Sequence, residues 1–187
     1  MYKRQVTNND LKEQTEIFET IQRILDEDEG PFYFIDLHTT SSETIPFLTV
    51  NDSLLNRYFT KQYPVPIILG IEEYLDGPLL SYINELGYVA FGFEAGQHDD
   101  LTSIENHSAF VYLSLVYAGV LSKNDIDYEH QHNLLAKNTI DTRKFYEIFY
   151  RHEIDENDKF NMVPGFINFQ RIQKRQKLAT NHRKDVL

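Results

Sequence analysis

Two short stretches hold the residue types that hydrolytic chemistry needs. The first is Asp36-Leu37-His38-Thr39-Thr40-Ser41-Ser42, which follows the apolar run Phe32-Tyr33-Phe34-Ile35. Side chains two apart on a strand share a face, so Asp36 and His38 point the same way. One of them can bind a metal while the other fixes the tautomer of a neighbouring ligand. The hydroxyls of Thr39, Thr40, Ser41 and Ser42 offer donors to a substrate carboxyl or carbonyl group. The competing reading is a histidine satisfied by local hydrogen bonds at a strand end. The second stretch is Gly92-Phe93-Glu94-Ala95-Gly96-Gln97-His98-Asp99. A glutamate at the end of an apolar strand is a costly place for a charge. Burial raises its pKa, which suits a general base that takes a proton from water. The flanking glycines let backbone and substrate approach closely. The competing reading of Glu94 is a carboxylate that caps the next turn. His98 has no evident partner and is read as orienting the loop.

The elements that must position these residues follow from periodicity. Residues 9–27 have apolar side chains at three- to four-residue spacing, from Leu11 to Leu25, with Asn9 or Asp10 as cap. Residues 32–38 read as a central strand of a covered sheet, apolar on both faces until Asp36. A helix is expected from a cap at Asp52, a buried strand at Val65–Leu69, and a helix opening at Gly77-Pro78 and ending at Gly87. Tyr88–Phe93 is the next strand. Thr102-x-x-Glu105 is a capping box for a helix to about Leu121, with His107 as a packing residue inside it. Strands that alternate with helices predict a layered α/β domain.

The composition then shifts. Residues 122–142 are polar, and His130 and His132 are expected in a solvated loop. From Lys144 short aromatic-rich β segments are expected at Phe145–His152, Pro164–Phe169 and Ile172–Ala179. The domain reading is therefore a non-native or disordered N-terminus at 1–8, a partial α/β domain at 9–140, and the start of an all-β unit at 141–187. Met1-Tyr2-Lys3-Arg4-Gln5 reads either as translated adapter sequence, which would make the gene cut at its 5′ end, or as an ordinary polar N-terminus.

Charge and composition narrow the partners. Lys and Arg total 18 against 29 Asp and Glu, a net charge of −11. Such a surface repels phosphate backbones and anionic lipids, so neither nucleic acid nor membrane is an expected partner. The basic group Arg171, Lys174, Arg175 and Lys177 is read as a solvated strand face. With no cysteine in the chain, disulfides, thiolate metal sites and cysteine nucleophiles are excluded. No apolar run or leader-like N-terminal segment stands out, and a cytoplasmic location is expected.

The two chemical stretches, with Phe91-Gly92-Phe93-Glu94-Ala95-Gly96-Gln97-His98 taken together, resemble the later motifs of the succinylglutamate desuccinylase/aspartoacylase family. Pro164-Gly165-Phe166-Ile167-Asn168-Phe169-Gln170 is similar to the opening of that family's C-terminal β domain. The resemblance implies a zinc-carboxypeptidase-like layered α/β/α domain, incomplete here, followed by the start of a small all-β domain. It implies a zinc-dependent deacylase that cleaves an amide, or an ester, in an N-acyl amino acid or similar small acid. By the same resemblance His38 would be a zinc ligand and Glu94 the catalytic glutamate, with Asp36, Thr39, Thr40 and Ser41 as supporting or substrate-contacting residues. The family's His-x-x-Glu motif supplies the other two ligands, and no histidine here has glutamate three positions later. His152 and His182 are followed at that spacing by Asp155 and Asp185. One histidine does not make a three-ligand zinc site, so the chain as given is expected to be an inactive fragment. The alternative is a metal-free protein derived from that fold, which binds a small carboxylate or a protein partner.

Overall fold

The computed structural model describes residues 8–71, 74, 78–139 and 145–187. The expected adapter stretch, Gly77 and the boundary expected near 140 lie outside the described residues. The chain divides into two units, Met1–Tyr33 and Phe34–Leu187.

The first unit is built on helix α1 (Asn8–Glu27). It begins ahead of both expected caps, and Asp10 falls in its first turn, where a carboxylate suits the helix dipole. Phe18, Ile21 and Leu25 form its half-buried stripe.

The second unit is a mixed α/β structure. Its five-stranded sheet has the order β1 (Tyr33–Thr40), β4 (Val89–Gln97), β2 (Phe47–Val50), β3 (Ile67–Leu69), β5 (Phe145–Glu147). Strand β2 runs parallel to β3, with Leu48 opposite Ile67, and antiparallel to β4, with Phe47 opposite Glu94. Strand β5 runs parallel to β3. The helices are α2 (Leu54–Thr60), α3 (Leu79–Glu85), α4 (Leu101–Tyr117) and α5 (Tyr128–Lys137).

Several expectations are corrected here. Strand β1 lies at the sheet edge, not its centre. Asp36, Leu37 and His38 are exposed there, because an edge leaves their polar groups in water. The central position belongs to β2, which the sequence reading passed over. Four residues after a proline carry too little periodicity to stand out, yet Leu48 and Val50 are buried. Ser53, not Asp52, caps α2 by accepting from the Asn56 amide at 3.1 Å, while Asp52 pairs with Arg57 (Nη2–Oδ2 2.8 Å). Asp100, not Thr102, caps α4 by accepting from the Thr102 amide at 2.9 Å, and α4 ends at Tyr117.

The expected loop carrying His130 and His132 is helix α5 instead. Asp127 caps it by accepting from the His130 amide at 3.1 Å, and the buried Leu135 is its anchor. One apolar anchor in a polar segment leaves a weak pattern.

The C-terminal segments also differ. Phe145–Glu147 joins the five-stranded sheet as β5. Pro164–Phe169 and most of Ile172–Ala179 form turns and irregular chain. Phe169 has φ +62, and its ring packs 5.4 Å from Phe47 and 5.5 Å from Tyr146. A small antiparallel sheet follows the order β6 (Asn161–Met162), β7 (Ala179–Asn181), β8 (Lys184–Val186). Within the basic group, Lys177 pairs with Asp185 at 2.6 Å.

The core is aromatic. Phe93 stacks on Phe110 of α4 with centroids 3.9 Å apart, and Tyr63 lies 4.7 Å from Phe110 and 5.9 Å from Phe91. The Tyr63 hydroxyl donates to Ser114 at 2.8 Å, and burial pushes its phenol above the usual range. Asn56 ties three elements together. Its amide donates to Asn84 at 2.6 Å in α3, and its oxygen accepts from the Ala90 amide of β4 at 3.2 Å. With Phe91 and Phe93 turned toward the core, strand alternation puts Glu94 on the other face of β4.

Truncating the central ring tests this packing. Phe110→Ala is expected to lower unfolding stability by ~3–5 kcal/mol in urea titrations, the usual loss for a buried phenylalanine. A change under ~1 kcal/mol would mean that the Phe93 stack is not fixed by Phe110.

Candidate functional site

The site is built where β1 and β4 run side by side. Asp36 and His38 project from one face of β1. The His38 Nε2 lies 2.7 Å from an Asp36 carboxylate oxygen, and both side chains are about half exposed. Thr39 and Thr40 end the strand half-buried, and Ser41 is exposed in the bend that follows.

The far end of β4 is tied down closely. The Thr40 hydroxyl donates to the Ser42 carbonyl at 2.7 Å and reaches the Gly96 carbonyl at 3.3 Å. The His98 amide donates to the Thr40 carbonyl at 3.0 Å. Gly96 has φ +129, and a Cβ there would sit 2.8 Å from the Ser103 hydroxyl, so only glycine fits. That hydroxyl donates to the Gln97 carbonyl at 2.8 Å, which fixes the turn against the start of α4. Strand β4 therefore continues three residues past Glu94, which the sequence reading had placed at the strand end.

Glu94 is half-buried, and its Oε2 is buried without a hydrogen-bond partner among the described residues. Burial raises its pKa above the ordinary 4.5. The His38 imidazole opposes that rise, the Asp36 carboxylate adds to it, and the His98 imidazole opposes it more weakly. The structure thus brings Asp36, His38 and His98 within electrostatic reach of Glu94. A carboxyl group held this way can take a proton from water and return it, the action of a general base and then acid.

Two histidines take more part than the sequence suggested. His98, which had no evident partner, has its Nδ1 2.7 Å from the Thr39 hydroxyl. His107 does pack, with its ring edge-on to Phe93 at 5.5 Å, but it also reaches the underside of β1. Burial lowers its pKa foremost, while the backbones of Ser103 and His38 favour its protonated form and the His38 imidazole opposes it. Its Nε2 is buried without a hydrogen-bond partner among the described residues. The available signal was position, because His107 shares a helix face with the buried Ser103 and Phe110. The other histidines lie elsewhere. His132 packs on Tyr128 at 5.9 Å, and His182 approaches Asp158 at 3.6 Å.

Among the described residues, no three His, Asp or Glu side chains gather in a way that could hold a metal ion. The His38 Nε2 faces Asp36 rather than a second ligand. These residues therefore do not fit a zinc ion.

No family model matches the chain, and no curated protein matches it. A solved structure, a succinylglutamate desuccinylase from Silicibacter sp. TM1040, is similar at 13% identity with a TM-score of 0.49. The alignment covers 82% of this chain and 50% of that one, so the chain spans about half the length of that structure. No helix among the described residues is long and apolar enough to cross a membrane.

The raised pKa of Glu94 has a consequence for stability. Below pH 4.5 Glu94 is protonated in both folded and unfolded chains and has no linkage effect. As pH rises through 4.5 the unfolded chain loses the proton first, so stability falls until the folded pKa is passed. Glu94→Gln cannot ionise. Its stability relative to the parent should increase from pH 4.5 upward and level off above the folded pKa of Glu94. Urea midpoints between pH 4 and 8 measure this, and a pH-independent difference would contradict it.

Proposed function

We propose that this chain carries the proton-transfer part of a deacylase-type hydrolase site, acting on the amide bond of an N-acyl amino acid or similar small acid. The observation that supports this most is Glu94, half-buried with an unpartnered oxygen, beside two imidazoles and Asp36. In this reading Glu94 takes a proton from water as the water oxygen bonds to the acyl carbon. It then gives that proton to the amine nitrogen as the carbon–nitrogen bond breaks. Asp36 holds the orientation of the His38 ring, and the exposed Ser41 hydroxyl offers a hydrogen bond to the substrate's polar end, while the Thr39 and Thr40 hydroxyls are engaged by the His98 ring and the Ser42 carbonyl and shape that end of the site.

The family resemblance implies one zinc ion with His38 among its ligands. The described residues do not supply the rest of that ligand set, and no step above is routed through the metal. A second reading is a metal-free protein of related fold that binds a small carboxylate or a protein. The Asp36–His38 pair favours it, because it turns the imidazole toward a carboxylate instead of a metal.

One measurement tests the absence of a zinc site, and a second separates the readings. Calorimetry on the 187-residue chain should show only weak zinc binding. Tight stoichiometric binding that needs His38 would mean that further residues complete a site. Turnover of N-acyl amino acids, with zinc supplied, should be tested on the protein from the complete open reading frame. There Glu94→Gln should lower turnover by ~10²–10⁴, the usual worth of a positioned general base. Near-normal turnover in that variant would remove Glu94 from the mechanism, and no turnover by the parent would favour the binding protein.

A further inference from the structure

We propose that the open edge of β1 pairs antiparallel with the β1 edge of a second copy of this chain, joining two five-stranded sheets into one. This interface does not depend on the deacylase reading above.

Strands β1 and β5 end the sheet. Strand β5 has three residues, and so short an edge offers little to pair with. Strand β1 has eight, of which Phe34–Thr40 belong to the second unit. Among the described residues its one strand neighbour is β4. A charged side chain is a usual guard against edge pairing, and Asp36 is exposed on this edge.

The directions of the backbone groups follow from β4. The Thr40 carbonyl accepts from the His98 amide at 3.0 Å, and the Asp36 carbonyl lies 3.9 Å from the place that a Cβ on Gly92 would take. Both carbonyls therefore turn toward β4. Backbone groups alternate sides along a strand, so Ile35, Leu37 and Thr39 turn theirs to the open side.

Only a few registers between two copies use those outward groups, because each hydrogen-bonded pair must join two of them. With a two-fold axis at Leu37, Leu37 bonds Leu37, and Ile35 of each copy bonds Thr39 of the other. Asp36 of each copy then faces His38 of the other, in the non-hydrogen-bonded pairs where side chains come closest. Both side chains are about half exposed, so the other copy can approach them. The adjacent registers centre on Asp36 or on His38. They set carboxylate on carboxylate or imidazole on imidazole, and like groups directly opposite are unfavourable. The register centred on Leu37 also matches all of Phe34–Thr40 with itself and covers Leu37, which is 45% exposed. Asp36 thus repels most strands but suits this one. A single pair of strands buries less than the ~1,200 Å² of an ordinary stable interface, so the dimer should be weak and concentration-dependent.

Sedimentation of the 187-residue chain over a range of concentrations tests this, and a closed monomer–dimer equilibrium is expected. Asp36→Lys alone and His38→Asp alone should each weaken the dimer by ~2–30-fold, through loss of two cross-strand pairs. An equal mixture of the two variants, or both substitutions in one chain, sets opposite charges across both pairs again and should restore the parent affinity. Hydrogen exchange in the parent gives a readout that does not depend on the variants' folding. The amides of Ile35, Leu37 and Thr39 should slow as concentration rises. A chain that stays monomeric at millimolar concentration would overturn the proposal and leave the edge to an extended segment of other sequence. A dimer that neither variant weakens, or in which those three amides exchange as in the monomer, would lie on another surface and overturn it too. So would open-ended aggregation, because a two-fold pairing closes on itself.

Discussion

The stack of Phe93 on Phe110 clamps β4 to α4, and the site takes its shape from that clamp. Strand β4 lies between β1 and β2. Turning Phe91 and Phe93 into the core commits the alternate residues of β4 to the other face, Glu94 among them. The Asn56 amide pins the start of the same strand through Ala90, and the Thr40 and Ser103 contacts pin its end. Glu94 thus sits between two fixed points on a strand that cannot slip by one residue without exposing its phenylalanines.

That rigidity explains how a carboxylate oxygen without a hydrogen-bond partner among the described residues is tolerated. A buried polar atom that lacks a hydrogen bond is costly, by about 1–3 kcal/mol for the group left unpaired. Here the cost is moderated by half-burial and by two imidazoles in range, while Asp36 works against them. The arrangement resembles a site more than a structural pair. A structural carboxylate would be expected to gain hydrogen bonds and a lowered pKa, as Asp100 does at the cap of α4.

The alternation of strands and helices through the first two-thirds of the chain was legible, as were the two stretches that carry Asp36, His38 and Glu94. Both stretches announce themselves because polar residues interrupt apolar runs. What was illegible depended on tertiary pairing. The edge position of β1 follows from which strands lie beside β4, and no local pattern encodes that. Strand β2 was too short to show a period, and α5 hid behind a polar face with a single buried leucine. The caps at Ser53 and Asp100 were each displaced from the expected residue, because neighbouring residues had equally suitable side chains. The partnership of His98 with Thr39 joins residues 59 positions apart and could come only from the fold.

The state of Glu94 is the centre of this account, and its carboxyl carbon reports it directly. In the 187-residue chain, a carbon-13 NMR titration of Glu94 should give a midpoint above 4.5. Asp36→Asn should lower that midpoint, because the Asp36 charge helps to raise it. A midpoint at or below 4.5, unmoved by Asp36→Asn, would contradict the account, since Glu94 would then be an ordinary solvated carboxylate.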